Sequence, residues 1–149
     1  MTPPTITRKF GIDCGHRVLQ HESKCAHVHG HRYTMEVTVR AAELDSLGRV
    51  VDFSVVKALV GTWLDDHLDH GFIHHPDDPL VPALVEDGSK VYSMPTDLGN
   101  PTAENLATLV ARVSQELLEP HGLEVSAVRV WETPNCWADW TAPTPAGPG

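Results

Sequence analysis

Two runs of alternating residues, joined by a short polar stretch, constrain this chain more than any other feature. Phe10, Ile12, Cys14, His16 and Val18 fall on one face of the first run. The second opens with His29-Gly30-His31 and continues through Thr34-Met35-Glu36-Val37-Thr38-Val39. Alternation with period two is the mark of a half-buried strand, and the connection from Gln20 to Val28 suits an antiparallel return. Residues two apart on a strand share a face, about 6.6 to 6.8 Å from one another. His29 and His31 therefore present their rings side by side, and the hairpin brings His16 beside them.

Three neutral imidazoles with a fourth position left open form the arrangement of a catalytic zinc ion, whereas structural sites close with four ligands, usually rich in Cys. The spacing predicts a metal held by His16, His29 and His31. Cys14 lies on the inward face of the first run and reads as a small core residue, because a thiolate there would close the site. The three cysteines, Cys14, Cys25 and Cys136, are odd in number and lack Cys-x-x-Cys spacing. That argues against a disulfide framework and for a reducing compartment.

A length of 149 residues supports one domain with a real core. The 20 acidic against 11 basic residues, a formal charge of −9, oppose nonspecific binding to nucleic acid or an anionic membrane. Neither is expected as a partner. The chain shows no long apolar run and no signal-peptide core near its start, so the expectation is a soluble, cytoplasmic protein.

Two helices are expected between the strands. Asp52 caps the first, with Phe53, Val56, Leu59, Val60, Trp63 and Leu64 as its apolar stripe. Thr102 caps the second, with Leu106, Leu109, Val110, Val113 and Leu117 inward and Pro120 and Gly122 ending it. The segment between them is the least regular, with a helical turn over Leu80 to Val85 and a short strand over Lys90 to Met94. Glu124 to Glu132 alternates as a third strand, Val125, Ala127 and Arg129 against Ser126, Val128 and Val130. Cys136 to Trp140 forms a last one, and Thr141 to Gly149 reads as a disordered Pro/Gly tail. The class is α+β.

Two Asp-His pairs, Asp66-His67 and Asp69-His70, follow the first helix. A carboxylate can orient an imidazole for proton transfer, though a solvated helix end explains either pair equally well. Neighbours in an extended chain point to opposite faces, so His74-His75 is not expected to hold a second metal.

Taken together, several blocks carry a resemblance. His16 in Phe-Gly-Ile-Asp-Cys-Gly-His-Arg, Cys25-x3-His29-Gly30-His31, Val51-Asp52-Phe53, Leu68-Asp69-His70, Pro101-Thr102-Ala103-Glu104-Asn105 and Glu132-Thr133-Pro134 occur in order between roughly residues 8 and 140. In this the chain resembles the 6-pyruvoyltetrahydropterin synthase and 6-carboxytetrahydropterin synthase family. It departs in Cys14-Gly15, where small residues such as alanine are frequent, in a longer segment over residues 72–100, and in Trp140.

The resemblance implies a tunnelling fold (T-fold), an antiparallel four-stranded sheet covered by two helices, spanning residues 1–140 with the longer segment as an insert. It implies a ring-shaped homo-oligomer, commonly a hexamer, with sites at subunit interfaces. It also implies Zn2+ on His16, His29 and His31, a pterin triphosphate as substrate, Cys25 as base, and Asp69 with His70 as proton relay. Glu132 with Thr133 would anchor the pterin, where Glu132 by itself reads as a strand-end surface glutamate. Lys24 beside Cys25, and a metal nearby, favour the thiolate that a base requires.

Within the family the cysteine usually lies five residues before His-Gly-His in the pyruvoyl-forming branch and three in the carboxy-forming branch; here it is three. The expected reaction is conversion of 7,8-dihydroneopterin triphosphate to 6-carboxytetrahydropterin, with acetaldehyde and triphosphate released, toward 7-deazaguanine compounds such as queuosine. The pyruvoyl-forming activity and a non-catalytic pterin- or zinc-binding module are the alternatives.

Overall fold

Pairing of the two alternating runs sets the frame. The computed structural model describes residues 3–144. In chain order the strands are β1 (Ile6–His16), β2 (His29–Ala41), β3 (Phe72–His74), β4 (Val91–Ser93), β5 (Leu123–Thr133) and β6 (Cys136–Thr141). The α-helices are α1 (Phe53–Val56), α2 (Thr62–His67), α3 (Val81–Glu86) and α4 (Ala103–Leu118). The sheet order is β4-β3-β1-β2-β5-β6. The antiparallel register of β1 with β2 sets Cys14 opposite His31 and His16 opposite His29.

The four expected antiparallel strands are therefore present, but the sheet has six. The insert adds β3 beside the end of β1 and β4 beside β3, both parallel. β4 is the short strand expected over Lys90 to Met94, whereas β3, three residues long, carries too little pattern to separate it from loop in a sequence. At the other end, Thr141, expected to open the tail, belongs to β6 and pairs with Ala127. The rest of the tail from residue 145 lies outside the described residues.

One face of the sheet carries the core. Ile12 and Cys14 on β1, Tyr33, Met35, Val37 and Val39 on β2, and Val125, Val128 and Val130 on β5 are buried under the helices. The expected parity of β5 fails at Ser126. A bulge there sets Thr38 opposite Ala127 but Val39 opposite Val125, so Val125 and Val128 both face inward. A second irregularity between Trp131 and Thr133, ahead of the Pro134-Asn135 turn, leaves Glu132 without a cross-strand partner.

The first helical stretch is continuous but not uniformly α. Asp52 caps it by accepting from the Ser54 N–H at 2.8 Å, and a π turn over Lys57–Gly61 links α1 to α2. The wider turn shifts the buried set to steps of four, Val56, Val60, Leu64 and Leu68. Phe53, expected in the stripe, is instead 50% exposed. In α4 the Thr102 hydroxyl accepts from the Asn105 N–H, an N-cap worth about 1 kcal/mol. Leu106, Leu109, Val110 and Leu118 are buried there, with Leu118 in the place expected for Leu117. No helix among the described residues is long and apolar enough to cross a membrane.

Candidate metal centre

Strand parity carries His16, His29 and His31 to one end of the helix-covered face. Their ligating atoms all lie within 4.8 Å of one another. The ring centroids are 4.6 Å apart for His16 and His29, 5.2 Å for His16 and His31, and 4.9 Å for His29 and His31. His16 is 2% exposed, and the other two are partly covered.

The tautomers follow from the second partner of each ring. His16 Nδ1 donates to the Pro101 carbonyl at 2.8 Å, and His29 Nδ1 to the His27 carbonyl at 2.6 Å. A carbonyl only accepts, so each Nδ1 carries the proton and each Nε2 keeps its lone pair. Those two Nε2 atoms face each other at 3.1 Å. His31 Nε2 is buried without a hydrogen-bond partner. Glu132 Oε1 lies 3.3 Å from it but off the line a hydrogen bond needs. Two lone pairs facing each other, with an unpartnered imidazole nitrogen beside them, fit a cation held by three nitrogens.

Burial disfavours the charged form of His16 and His31. Burial lowers the pKa of His16, the Pro101 carbonyl and Glu132 pull it back, and repulsion from His29 and His31 lowers it further. Burial also lowers His31, against the pull of Glu132. Cys14 is outside the cluster. Burial first, then the charges of Asp69 and Asp13, push its thiol up to about 12, which keeps it a protonated core residue as expected.

The Asp69-His70 pair sits where α2 ends and the chain rejoins the sheet. The Asp13 N–H donates to Asp69 Oδ1 at 2.8 Å, and the His70 N–H to the Asp13 carbonyl at 2.6 Å. Lys90, from the insert, donates to the carbonyls of Asp65 and Asp69. Burial works against the Asp69 carboxylate, but the Asp13 N–H, the His70 ring and the Lys90 charge outweigh it and hold the pKa low. A charged Asp69 only accepts, so the 2.8 Å bond to His70 Nδ1 places the ring proton there and frees Nε2. His70 holds φ of 60°, a left-handed conformation that a non-glycine residue keeps only where its surroundings impose it. Its side chain is 77% exposed.

His70 and His31 line one cavity of about 430 Å³, with Arg32 at its rim. The directly opposed Gly15 and Gly30 also line it. A Cβ on either would meet a backbone carbonyl at 3.3 Å, so the two strands approach closely here, on the face turned away from the imidazoles. Cys25 is half-buried in a 3₁₀ turn, Lys24–Ala26, whose Cys25 carbonyl accepts from the Val18 N–H at 2.9 Å. The bulges set Glu132 beside His31. Thr133 turns the other way, accepts from the Asn135 N–H, and lines a separate cavity of about 330 Å³ with Arg32 and Trp131.

Of the other histidines, His67 stacks on Trp63, and His74 turns Nδ1 onto the His75 carbonyl. Tyr33 was not singled out from the sequence. Its ring meets His16 and His31 edge-on at 5.8 and 5.5 Å, and its buried hydroxyl lacks a partner. Parity alone reveals it, since Tyr33 follows His29 and His31 on the same face.

A mixed sheet with one helix-covered face, three imidazoles at its end and an Asp-His pair in an adjoining cavity defines an α+β architecture with a candidate metal site. The family model described as 6-pyruvoyl tetrahydropterin synthase matches residues 5–143, and the chain belongs to that family of enzymes. It is similar to 6-carboxy-5,6,7,8-tetrahydropterin synthase of Rickettsia conorii, 39% identical over 136 residues, 89% of this chain and 96% of that protein. An uncharacterized protein from Wolinella succinogenes, known from its crystal structure, superposes with a TM-score of 0.78 at 26% identity, covering 93% of this chain and 97% of the other. Caenorhabditis elegans 6-pyruvoyl tetrahydropterin synthase shares the fold at a TM-score of 0.66 and 21% identity, over 94% and 96% of the two chains. The fold is the T-fold, as expected.

Proposed function

We propose that this enzyme converts 7,8-dihydroneopterin triphosphate and one water to 6-carboxytetrahydropterin, releasing acetaldehyde and triphosphate, in a cytoplasmic route toward 7-deazaguanine compounds such as queuosine. The observation that carries the reading is the convergence of three imidazoles, two of them with a proton-free Nε2, beside a cavity lined by His31 and His70. The name borne by the Rickettsia relative and the three-residue spacing between Cys25 and His29 support the carboxy-forming branch.

His16, His29 and His31 would hold Zn2+. Bound there, the ion supplies Lewis acidity that polarises the substrate's side-chain hydroxyls and acidifies the adjoining C–H bond. Cys25, as thiolate, removes the proton. His70 Nε2, its ring held by Asp69, passes protons to and from the side chain during bond cleavage. Glu132 accepts the paired N–H groups of the pterin edge, while Thr133, expected to share that anchor, lines the neighbouring cavity.

The protein works as a ring-shaped homo-oligomer, a hexamer. Free edges support this: β6 ends the sheet, and β3 pairs with β1 only at Gly15 and His16, leaving the start of β1 open. Unpaired edges invite strand pairing, and two different edges joined head to tail close a ring. Light scattering reads the mass directly.

The deciding experiment is turnover of dihydroneopterin triphosphate followed by mass spectrometry with an aldehyde trap. Carboxy product and trapped acetaldehyde are expected. A pyruvoyl product with all carbons retained points to the sister activity, and substrate binding without turnover points to a binding module.

A further inference from the structure

β1 ends at His16, so the residues just beyond it have no sheet ladder to hold them. Each is nevertheless tied. His16 Nδ1 donates to the Pro101 carbonyl. Arg17 donates from Nε to Asp78 Oδ2 at 2.8 Å and from Nη2 to Oδ1. The Val18 N–H donates to the Cys25 carbonyl. Leu19 donates its N–H to Asn100 Oδ1 at 2.9 Å and accepts from Asn100 Nδ2 at 3.2 Å. Asn100 is held in turn, its carbonyl accepting from Asn105 Nδ2 at 2.9 Å near the start of α4.

Asp78 stands out among these. Its side chain is 0% exposed, in a chain where most other ion pairs are open to solvent. Besides the guanidinium it accepts the Leu80 N–H at 2.9 Å. Buried ion pairs add little net stability compared with an apolar pair, but the two-pronged fork holds the guanidinium in one orientation. Arg17 lies between the ligand His16 and Val18, the residue that holds the cysteine turn. A shift of this backbone would draw the imidazole from Pro101 and carry Cys25 with it.

We propose that Arg17 and Asp78 are a positioning pair through which the 72–100 insert sets the placement of both His16 and the Cys25 turn. The proposal rests on His16 as metal ligand and Cys25 as base. It gives the insert a role: besides Lys90 under the Asp69-His70 turn, it braces the other half of the chemistry. The specific requirement is the fork, which lysine lacks despite its equal charge.

The test compares zinc-loaded wild type, Arg17→Lys, Asp78→Asn and the control Arg112→Lys, all with Cys136→Ser so that Cys25 is the accessible thiol. Arg112 pairs with Asp97 in the same region, on the surface. Two rates are measured, zinc release to a chromogenic chelator and alkylation of Cys25 by iodoacetamide. For Arg17→Lys we expect zinc release faster by about ten- to hundredfold, the range seen when partners of metal ligands are removed. Cys25 alkylation should change severalfold, and kcat should fall with KM held within about twofold. Asp78→Asn should act the same way where it folds, and Arg112→Lys should match wild type. A folded Arg17→Lys with wild-type zinc release and wild-type alkylation overturns the proposal and leaves the function standing. A wild type that binds no zinc overturns both.

Discussion

His16 and His29 point their Nε2 atoms at each other across 3.1 Å while each Nδ1 is committed to a backbone carbonyl, of Pro101 and His27 respectively. Two lone pairs at that distance repel unless a cation lies between them. With the orphaned His31 Nε2 beside them, the three imidazoles have the make-up of a metal site.

About one zinc per chain is therefore expected by metal analysis of purified protein. His29→Ala and His31→Ala should each lose it together with activity. Zinc content unchanged in both variants would place the metal elsewhere.

Cys25→Ala should separate chemistry from binding. The thiol lies outside the imidazole cluster, so zinc content and pterin affinity should remain while turnover is lost. Loss of zinc from this variant would make Cys25 a ligand instead of the base.

Acid should destabilise the metal-free protein in a defined window. Burial lowers the pKa of His16 and His31 below their ordinary value of 6.5. The unfolded chain then takes up protons at these positions before the folded one does. The stability they contribute is complete above about pH 6.5 and declines as pH falls through the folded values. Asp69 and Asp78, whose pKa values are held below 3.8, act only at lower pH. Thermal melts of chelator-treated protein should be level from pH 8 to 7 and drop below 6.5; melts level down to pH 5 would contradict this.

Glu132→Gln should weaken substrate binding without releasing zinc. Hydrogen bonds to a charged group are worth about 1.5–3 kcal/mol, so the dissociation constant for the pterin should rise roughly tenfold or more. The carboxylate also faces His31 at 3.3 Å, and zinc retention tells the two roles apart. An unchanged dissociation constant would remove Glu132 from the pterin anchor.

Local periodicity by itself determined much of this. Alternation around His16 and from His29 to Val39 defined the hairpin and the shared face of three imidazoles, because side-chain direction in a strand depends only on parity. Asp52 and Thr102 were legible as caps because a cap is a contact between residues two or three apart. Tertiary structure decided what parity could not. The bulge at Ser126 and the unpaired Glu132 reset which way β5 side chains point, and the π turn exposed Phe53. Asp78 lies 61 residues from Arg17 and the Pro101 carbonyl 85 from His16, so no local pattern announces them. Ligand direction is a property of a few consecutive residues; tautomer and placement are imposed by partners that meet only after the chain has folded.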